Sequence, residues 1–430
     1  MKFSDLGLIE PLLKAVRQKG YTTPSLIQQK AIPVILQGSD LMASAQTGTG
    51  KTAAFVLPIL QALTARNGTP PGQVSGLVLT PTRELAAQIH ESIETYGRHL
   101  SLKSTVVYGG VNINPQIRKL RKGVDLLVAT PGRLLDLHQQ GVVHFDCIDS
   151  FVLDEADRML DMGFIHDLNR IQKLLPRQKQ TLMFSATYSG EIRQLAATML
   201  HKPTEVDVAP RNTAIETVEQ VIHPIDKQQK GQSLAFLIKN NHWSQVLVFA
   251  RTKHGADKLV RQLKKVSICA AAIHGNKSQL QRTKALTQFK HGQIDVLIAT
   301  DIAARGLDIQ DLPHVINFDL PHVAEDYVHR IGRTGRAGKS GTATSLVSAD
   351  EIKQLRAIER LIGTAIPRSF IEGFEPEHQL PESMQFSGGS TSRSNKKKNG
   401  HSRVTGFKQK ARRRRGKRFS ASSSPKSSAA

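Results

Sequence analysis

The chain has 430 residues, 39% of them hydrophobic, which is enough for two or three domains with substantial cores. Lys and Arg number 59 against 36 Asp and Glu, a formal charge of +23, so the expected partner is a polyanion or an anionic surface. Cys147 and Cys269 stand far apart in apolar surroundings and read as core thiols of a reducing, cytoplasmic compartment, which excludes a disulfide framework. No stretch approaches the roughly 20 apolar residues of a membrane span, and the amino terminus, with Asp5 and Glu10 around a short apolar run, does not read as an export leader.

Residues 25 to 350 alternate Val/Ile/Leu-rich strands with helical patterns, as expected of parallel sheets with helices on both faces. The first informative run is Ala45-Gln46-Thr47-Gly48-Thr49-Gly50-Lys51-Thr52, with apolar Ala53 to Leu57 opening a helix behind it. Glycines permit positive φ and close approach, so N–H groups at this turn and helix start can surround phosphate oxygens. Lys51 then supplies a point charge to the β- and γ-phosphates, and the Thr52 hydroxyl a ligand for Mg2+.

The strand Leu77 to Leu79 runs into Pro81-Thr82-Arg83-Glu84-Leu85; Gly109-Gly110 and Thr130-Pro131-Gly132-Arg133 flank later strands in the same way. Loops and helix starts of this kind present N–H groups and hydroxyls outward, and their recurrence on one edge suits a row of backbone phosphates. Ser150 to Leu153 is a short buried strand, and Asp154-Glu155-Ala156-Asp157 stands at its end, where open α/β sheets bind ligands. Adjacent strand side chains point opposite ways, so the carboxylates can divide the work. Asp154 suits Mg2+, directly or through water; Glu155 suits positioning and deprotonating the attacking water. Phosphate loop and carboxylate cluster together imply an NTPase.

Val208 to Thr213 is a polar, proline-containing interruption and marks a boundary. Beyond it, Leu247 to Lys253 echoes Leu77 to Arg83, and Ile294 to Thr300 echoes Val124 to Thr130, both at an offset of 170 residues. The unit is duplicated, and the second copy has no phosphate loop. His329-Arg330-Ile331-Gly332-Arg333-Thr334-Gly335-Arg336 sets three arginines among glycines; since the first unit's site lacks a cationic clamp, they read as arginine fingers supplied across a cleft. The second unit is expected to end near Ile366-Pro367. Residues 383 to 430 hold 14 Lys and Arg and no acid, leaving 45 basic against 36 acidic residues on 1 to 382. Such a composition cannot offset the entropy of ordering, so the tail is expected to be disordered.

In this order the motifs resemble those of the DEAD-box ATP-dependent RNA helicases, over about residues 1 to 365. Phe3 and Gly20 to Gln28 match the Q motif. Ser185-Ala186-Thr187, Val248 to Thr252, Gln279 with Arg282, Ala299 to Asp308 and His329 to Arg336 complete the set. The resemblance implies two tandem RecA-like domains, each a mostly parallel sheet with helices on both faces. The first is placed at 1–207 and the second at 218–366, joined by a linker at 208–217 and followed by a basic tail at 367–430. It implies ATP and Mg2+ as cofactors, with Gln28 reading the adenine edge, Phe3 and Tyr21 at the base, Asp308 at the ribose, and Arg333 and Arg336 at the γ-phosphate. Ser185, Thr187, Asp157 and His329 would couple that site to RNA.

The same resemblance lays RNA across both units: Pro81, Thr82, Arg83, Gly110, Thr130, Gly132 and Arg133 on one side, Arg251, Gly275, Gln279, Arg282, Thr300 and Asp301 on the other. Backbone contacts carry no sequence information, so the basic tail is the candidate for choosing substrates. The expected activity is ATP hydrolysis coupled to local RNA unwinding or remodelling of RNA–protein complexes. An ATP-gated RNA clamp or chaperone with little strand separation remains open, and the Q motif disfavours DNA translocation. The compact amino terminus, the Arg211-Asn212-Thr213 region and the short basic tail are most like the bacterial RhlE-like subgroup. Ribosomal precursors and RNA decay proteins are the candidate further partners; no membrane is expected.

Overall fold

The apolar runs form two all-parallel sheets in a computed structural model that describes residues 1–45, 49–66, 68–186, 188–208, 218–304, 309, 311–335, 341–378 and 380–381. Gln46, Thr47, Gly48, Thr187, Asp308, Arg336, most of the expected linker (209–217) and the chain from 382 onward lie outside the described residues.

In the first lobe, β1 (Leu41–Ser44), β2 (Gly76–Leu79), β3 (Ser104–Val107), β4 (Leu126–Ala129), β5 (Ser150–Leu153), β6 (Gln180–Ser185) and β7 (Thr204–Asp207) are ordered β3-β4-β2-β5-β6-β1-β7. The second lobe holds β8 (Val218–Pro224), β9 (Val246–Phe249), β10 (Ala270–Ile273), β11 (Val296–Ala299), β12 (His314–Asn317) and β13 (Gly341–Val347), ordered β10-β11-β9-β12-β13-β8. Parallel neighbours cannot be joined by a tight turn, so the connections carry helices across the sheets and bury both faces. Alternation then divides each strand between two cores. Val78 packs in the core that holds Phe55 and Phe184, whereas Leu77 and Leu79 pack in the core that holds Leu127 and Phe151.

The repeat read from the sequence is a repeat of position in the sheet. β9 begins at Val246 and β2 at Gly76, β11 at Val296 and β4 at Leu126, each pair at the 170-residue offset and each in the equivalent place in its sheet. β7 is an additional edge strand of the first lobe.

Two expectations need correction. Residues 367 to 378, assigned to the tail, pack on the second sheet: Ser369 N–H donates to Ile222 O at 2.9 Å, Ile371 is buried, and the Phe374 ring lies 5.5 Å from that of Phe236. Their composition is polar, but these few apolar anchors suffice because the lobe already offers a surface to cover. The cysteines are not core thiols, since Cys147 is half-buried and Cys269 is exposed just ahead of β10. Among the described residues no helix is long and apolar enough to cross a membrane.

Candidate active site and nucleic-acid interface

Strand order explains which motifs meet. β6 lies between β5 and β1, so Asp154 after β5, Ser185 at the end of β6 and Ala45 after β1 stand side by side on the carboxyl edge of the first sheet. Ala45 N–H donates to Ser185 O at 3.1 Å. Gly50 then caps the helix Lys51–Thr64 in the left-handed region (φ 89°), a conformation that a glycine adopts without strain.

A cavity of about 500 Å3 opens there, with walls that include Phe3, Tyr21, Gln28, Thr49, Gly50, Lys51, Thr52, Asp154, Glu155 and, from the second lobe, Arg333. Arg333 is 5% exposed. Gln28 is already engaged within the protein: its Oε1 accepts from Ser25 N–H at 2.9 Å and its Nε2 donates to Gly50 O at 3.1 Å, tying the Q-motif helix Leu26–Leu36 to the phosphate loop.

Asp154 is buried, and its carboxyl is pushed up to about 6. Loss of solvation is the main cause, with repulsion from Glu155 and Asp157 adding to it and Lys51 and the Glu155 N–H opposing it. That N–H donates to Asp154 Oδ1 at 3.0 Å. Asp154 and Glu155 are both buried and line the cavity, whereas Asp157 is half-buried and spends its oxygens on the Arg158 and Ala186 N–H groups; a hard divalent cation held by Asp154 would reverse its upward shift. Glu155 itself has φ 55°, a left-handed backbone at a non-glycine residue, at the start of the helix Ala156–Asp161. Asp157 accepts from Ala186 N–H at 3.0 Å, which joins the carboxylate cluster to the Ser185-Ala186 turn. Ser185 is buried at the end of β6.

Along the same edge, Thr82 Oγ1 caps the helix Arg83–Gly97 by accepting from Leu85 N–H at 3.3 Å. The Arg83 guanidinium covers Gly110, whose φ of 76° and lack of a side chain permit that approach. Arg133 donates to Val111 O at 3.2 Å and lies 3.4 Å from Asp136. Thr130 is the cap residue of the helix Pro131–Gln139, and Gly132 in its first turn is exposed, while Pro81 is buried between β2 and its helix.

In the second lobe, Arg251 is held by Glu351 at 2.8 Å; Glu351 is itself buried and accepts from Lys230 Nζ at 2.5 Å. Gly275 is exposed after β10, and the adjoining His274 is buried 3.1 Å from Asp257. Gln279 and Arg282 open the helix Gln279–Lys290, and both reach Glu84 of the first lobe at 3.0 Å. Asp301, read from the sequence as an RNA contact, has both carboxylate oxygens taken by Arg330 at 2.6 and 2.7 Å, and Thr300 beside it is buried. Arg330 also donates to Asn317 and lies 4.9 Å over the Phe249 ring. His329 lines a smaller cavity between the lobes. Sequence reasoning assigned no task to Glu84, Arg158 or Glu351, and it counted Arg330 among the arginine fingers, whereas Arg330 is committed to Asp301 and Asn317 within the second lobe. Glu84 and Arg330 lay inside quoted motifs, but nothing in a single chain signals partners in another lobe or element.

The DEAD/DEAH box helicase family matches residues 25–195, and the helicase conserved C-terminal domain matches residues 227–338. The chain is 43% identical over 364 residues to the DEAD-box ATP-dependent RNA helicase RhpA of Helicobacter pylori, covering 85% of this chain and 73% of that one. It is 41% identical over 384 residues to the DEAD-box ATP-dependent RNA helicase CshA of Streptococcus pneumoniae, covering 88% and 72%. Among solved structures, S. cerevisiae Dbp5 bound to RNA and ADP BeF3 superposes with TM-score 0.76 at 31% identity, covering 86% of this chain and 95% of that one. A DEAD box protein from Methanococcus jannaschii superposes with TM-score 0.51 at 39% identity, covering 86% and 99%.

Proposed function

Because this chain belongs to the DEAD-box ATP-dependent RNA helicases, we propose that it hydrolyses ATP between its lobes and uses the cycle to open short RNA duplexes or remodel RNA–protein complexes. The observation that carries this reading is Arg333 of the second lobe in one cavity with Lys51, Thr52, Asp154 and Glu155 of the first. A hydrolysis site divided in this way is complete only when the lobes meet. The better superposition on the RNA-bound Dbp5 structure supports the same view.

In this reading the turn from Ala45 to Gly50, including Gln46, Thr47 and Gly48, surrounds the phosphates with N–H groups, and Lys51 neutralises the β- and γ-phosphates. Phe3, Tyr21 and Gln28 flank the base, and Asp308 holds the ribose. Thr52 and Asp154 would hold Mg2+, which when bound offsets phosphate charge during transfer. Glu155 orients the attacking water and accepts its proton; Arg333 and Arg336 stabilise the charge on the transferring phosphoryl, a contribution worth about 10³-fold or more in related reactions. ADP and phosphate leave as the lobes separate. Ser185, Thr187, Asp157 and His329 carry the coupling between this site and RNA.

RNA is bound along the carboxyl edges of both sheets, through Pro81, Thr82, Arg83, Gly110, Thr130, Gly132 and Arg133 and through Arg251, Gly275 and Thr300. Gln279 and Arg282 act chiefly by joining the lobes through Glu84, and Asp301 by fixing Arg330. The tail adds non-specific attraction for RNA. Assignment to the RhlE-like subgroup rests on the Arg211-Asn212-Thr213 region and the basic composition of residues 383–430; the relatives above carry other names. A cytoplasmic location and work on ribosomal precursors or in RNA decay are compatible with the charge balance.

Strand displacement on a short RNA duplex, measured beside ATP-dependent retention of single-stranded RNA, separates a helicase from a clamp. Arg333→Ala should lose RNA-stimulated turnover while still binding nucleotide. Turnover at the wild-type rate in that variant rejects the divided site.

A further inference from the structure

Arg158 lies one helical turn beyond Glu155 and belongs to none of the roles above. Its Nε is 3.3 Å from the Glu155 carboxylate, and the two side chains are 5% and 6% exposed. An arginine keeps its proton in a protein, so this charge stays in a place where only a partner makes it tolerable. Its Nη1 is buried with no hydrogen-bond partner among the described residues. Arg158 also lines a cavity of about 10 Å3 whose other walls come from the second lobe, among them Asp301, Asp326, His329 and Arg333. The space is about that of one water, and its lining sets Phe249 and Ala304 beside the charged groups.

We propose that Arg158 is a positioning residue of the hydrolysis site. On one side it fixes the Glu155 carboxylate; on the other it is braced by the second-lobe walls of the small cavity. Glu155 is therefore held in its working position only when the lobes are closed. The inference rests on the reading that Glu155 orients the attacking water.

Glu155 needs such a hold. Its backbone occupies the left-handed region, which for a non-glycine residue persists only where the surroundings enforce it. The following helix, Ala156–Asp161, is six residues long and offers little rigidity of its own. A free glutamate side chain loses about 1.5–2 kcal/mol of rotamer freedom when it is fixed. An ion pair that closure braces removes that freedom before the water attacks. A misplacement of about 1 Å at such a group can cost on the order of 10²-fold in rate.

The test compares Arg158→Gln and Arg158→Lys with Glu155→Gln in the full chain, measuring kcat, KM for ATP, the stimulation factor with saturating RNA, and melting temperature. Arg158→Gln should lose about 10- to 100-fold in kcat with KM for ATP nearly unchanged. Its stimulation by RNA should shrink, since open lobes lack the brace in any case, and Arg158→Lys should restore part of the loss. Wild-type kcat in Arg158→Gln beside an inactive Glu155→Gln overturns the Arg158 assignment alone. So does a parallel fall of kcat and ATP affinity that Lys does not relieve. Normal hydrolysis by Glu155→Gln instead overturns the reading of the site. If Arg158→Gln melts too early to assay, Arg158→Lys decides, because wild-type kcat in a folded Lys variant leaves the guanidinium no positioning role.

Discussion

Glu84 and Arg282 meet across the lobe boundary at 3.0 Å with their side chains 9% and 11% exposed, and Gln279 donates to the same carboxylate. Burial pulls the Arg282 pKa down and the Glu84 carboxylate opposes it, so the guanidinium is desolvated at the boundary and Glu84 compensates it. The contact exists only when the lobes are together.

Glu84→Ala should therefore weaken closure rather than nucleotide binding. Removing one partner of a buried charged pair costs several kcal/mol, discounted here for partial exposure, so the RNA concentration for half-maximal ATPase should rise about tenfold or more. Titration of RNA-stimulated hydrolysis checks this, with nucleotide affinity in the absence of RNA as the control. An unchanged RNA requirement counts against the pair as a closure element.

The Asp154 carboxyl, raised to about 6 by burial and by its acidic neighbours, predicts a pH dependence of metal-nucleotide binding. A carboxylic acid with a raised pKa is protonated below that value and cannot ligate a cation until it loses the proton. Affinity for Mg2+ with ADP should be level above about pH 7 and fall as pH drops through 6, with proton release on binding near pH 6. For the nucleotide-free protein the sign is opposite: this group's contribution to stability falls as pH rises from the ordinary aspartate range through about 6. Calorimetry in buffers of different ionisation enthalpy reads the proton; a flat profile from pH 5 to 7 would place the metal elsewhere.

Gln28 is bonded to Ser25 and Gly50 before any ligand arrives. Gln28→Ala should thus lower the melting temperature of the nucleotide-free protein as well as ATP affinity, since losing the partner of a half-buried backbone group costs about 1 kcal/mol. Loss of ATP affinity with an unaltered melting temperature would mean that these two bonds contribute nothing to the folded state.

Removal of residues 383–430 deletes 14 Lys and Arg without deleting an acid. RNA affinity should fall and its salt dependence flatten, by about 0.7 in log–log slope for each cation that engages single-stranded RNA. Equal slopes for full-length and truncated protein, measured between low and moderate salt, would leave the tail without an RNA role.

The chain by itself determined the parallel architecture, the duplication at 170 residues, the phosphate loop and the carboxylates after β5, because each is a matter of period or spacing along one segment. Strand alternation was the ground for dividing Asp154 and Glu155 between tasks, but β5 ends at Leu153 and it is the left-handed turn at Glu155 that separates the two side chains. Only the tertiary structure decided which side chains are committed to each other. Asp301 is fixed by Arg330, Arg251 by Glu351, and Gln279 with Arg282 by Glu84, and each choice depends on how distant segments are brought together. The ordered stretch after Pro367 escaped notice for the same reason: Ile371 and Phe374 are sparse in sequence, and their value depends on a surface formed by the rest of the lobe. Burial likewise set the pKa of Asp154 and left Arg158 a buried nitrogen without a partner among the described residues, since desolvation is a property of the assembled site and not of any residue within it.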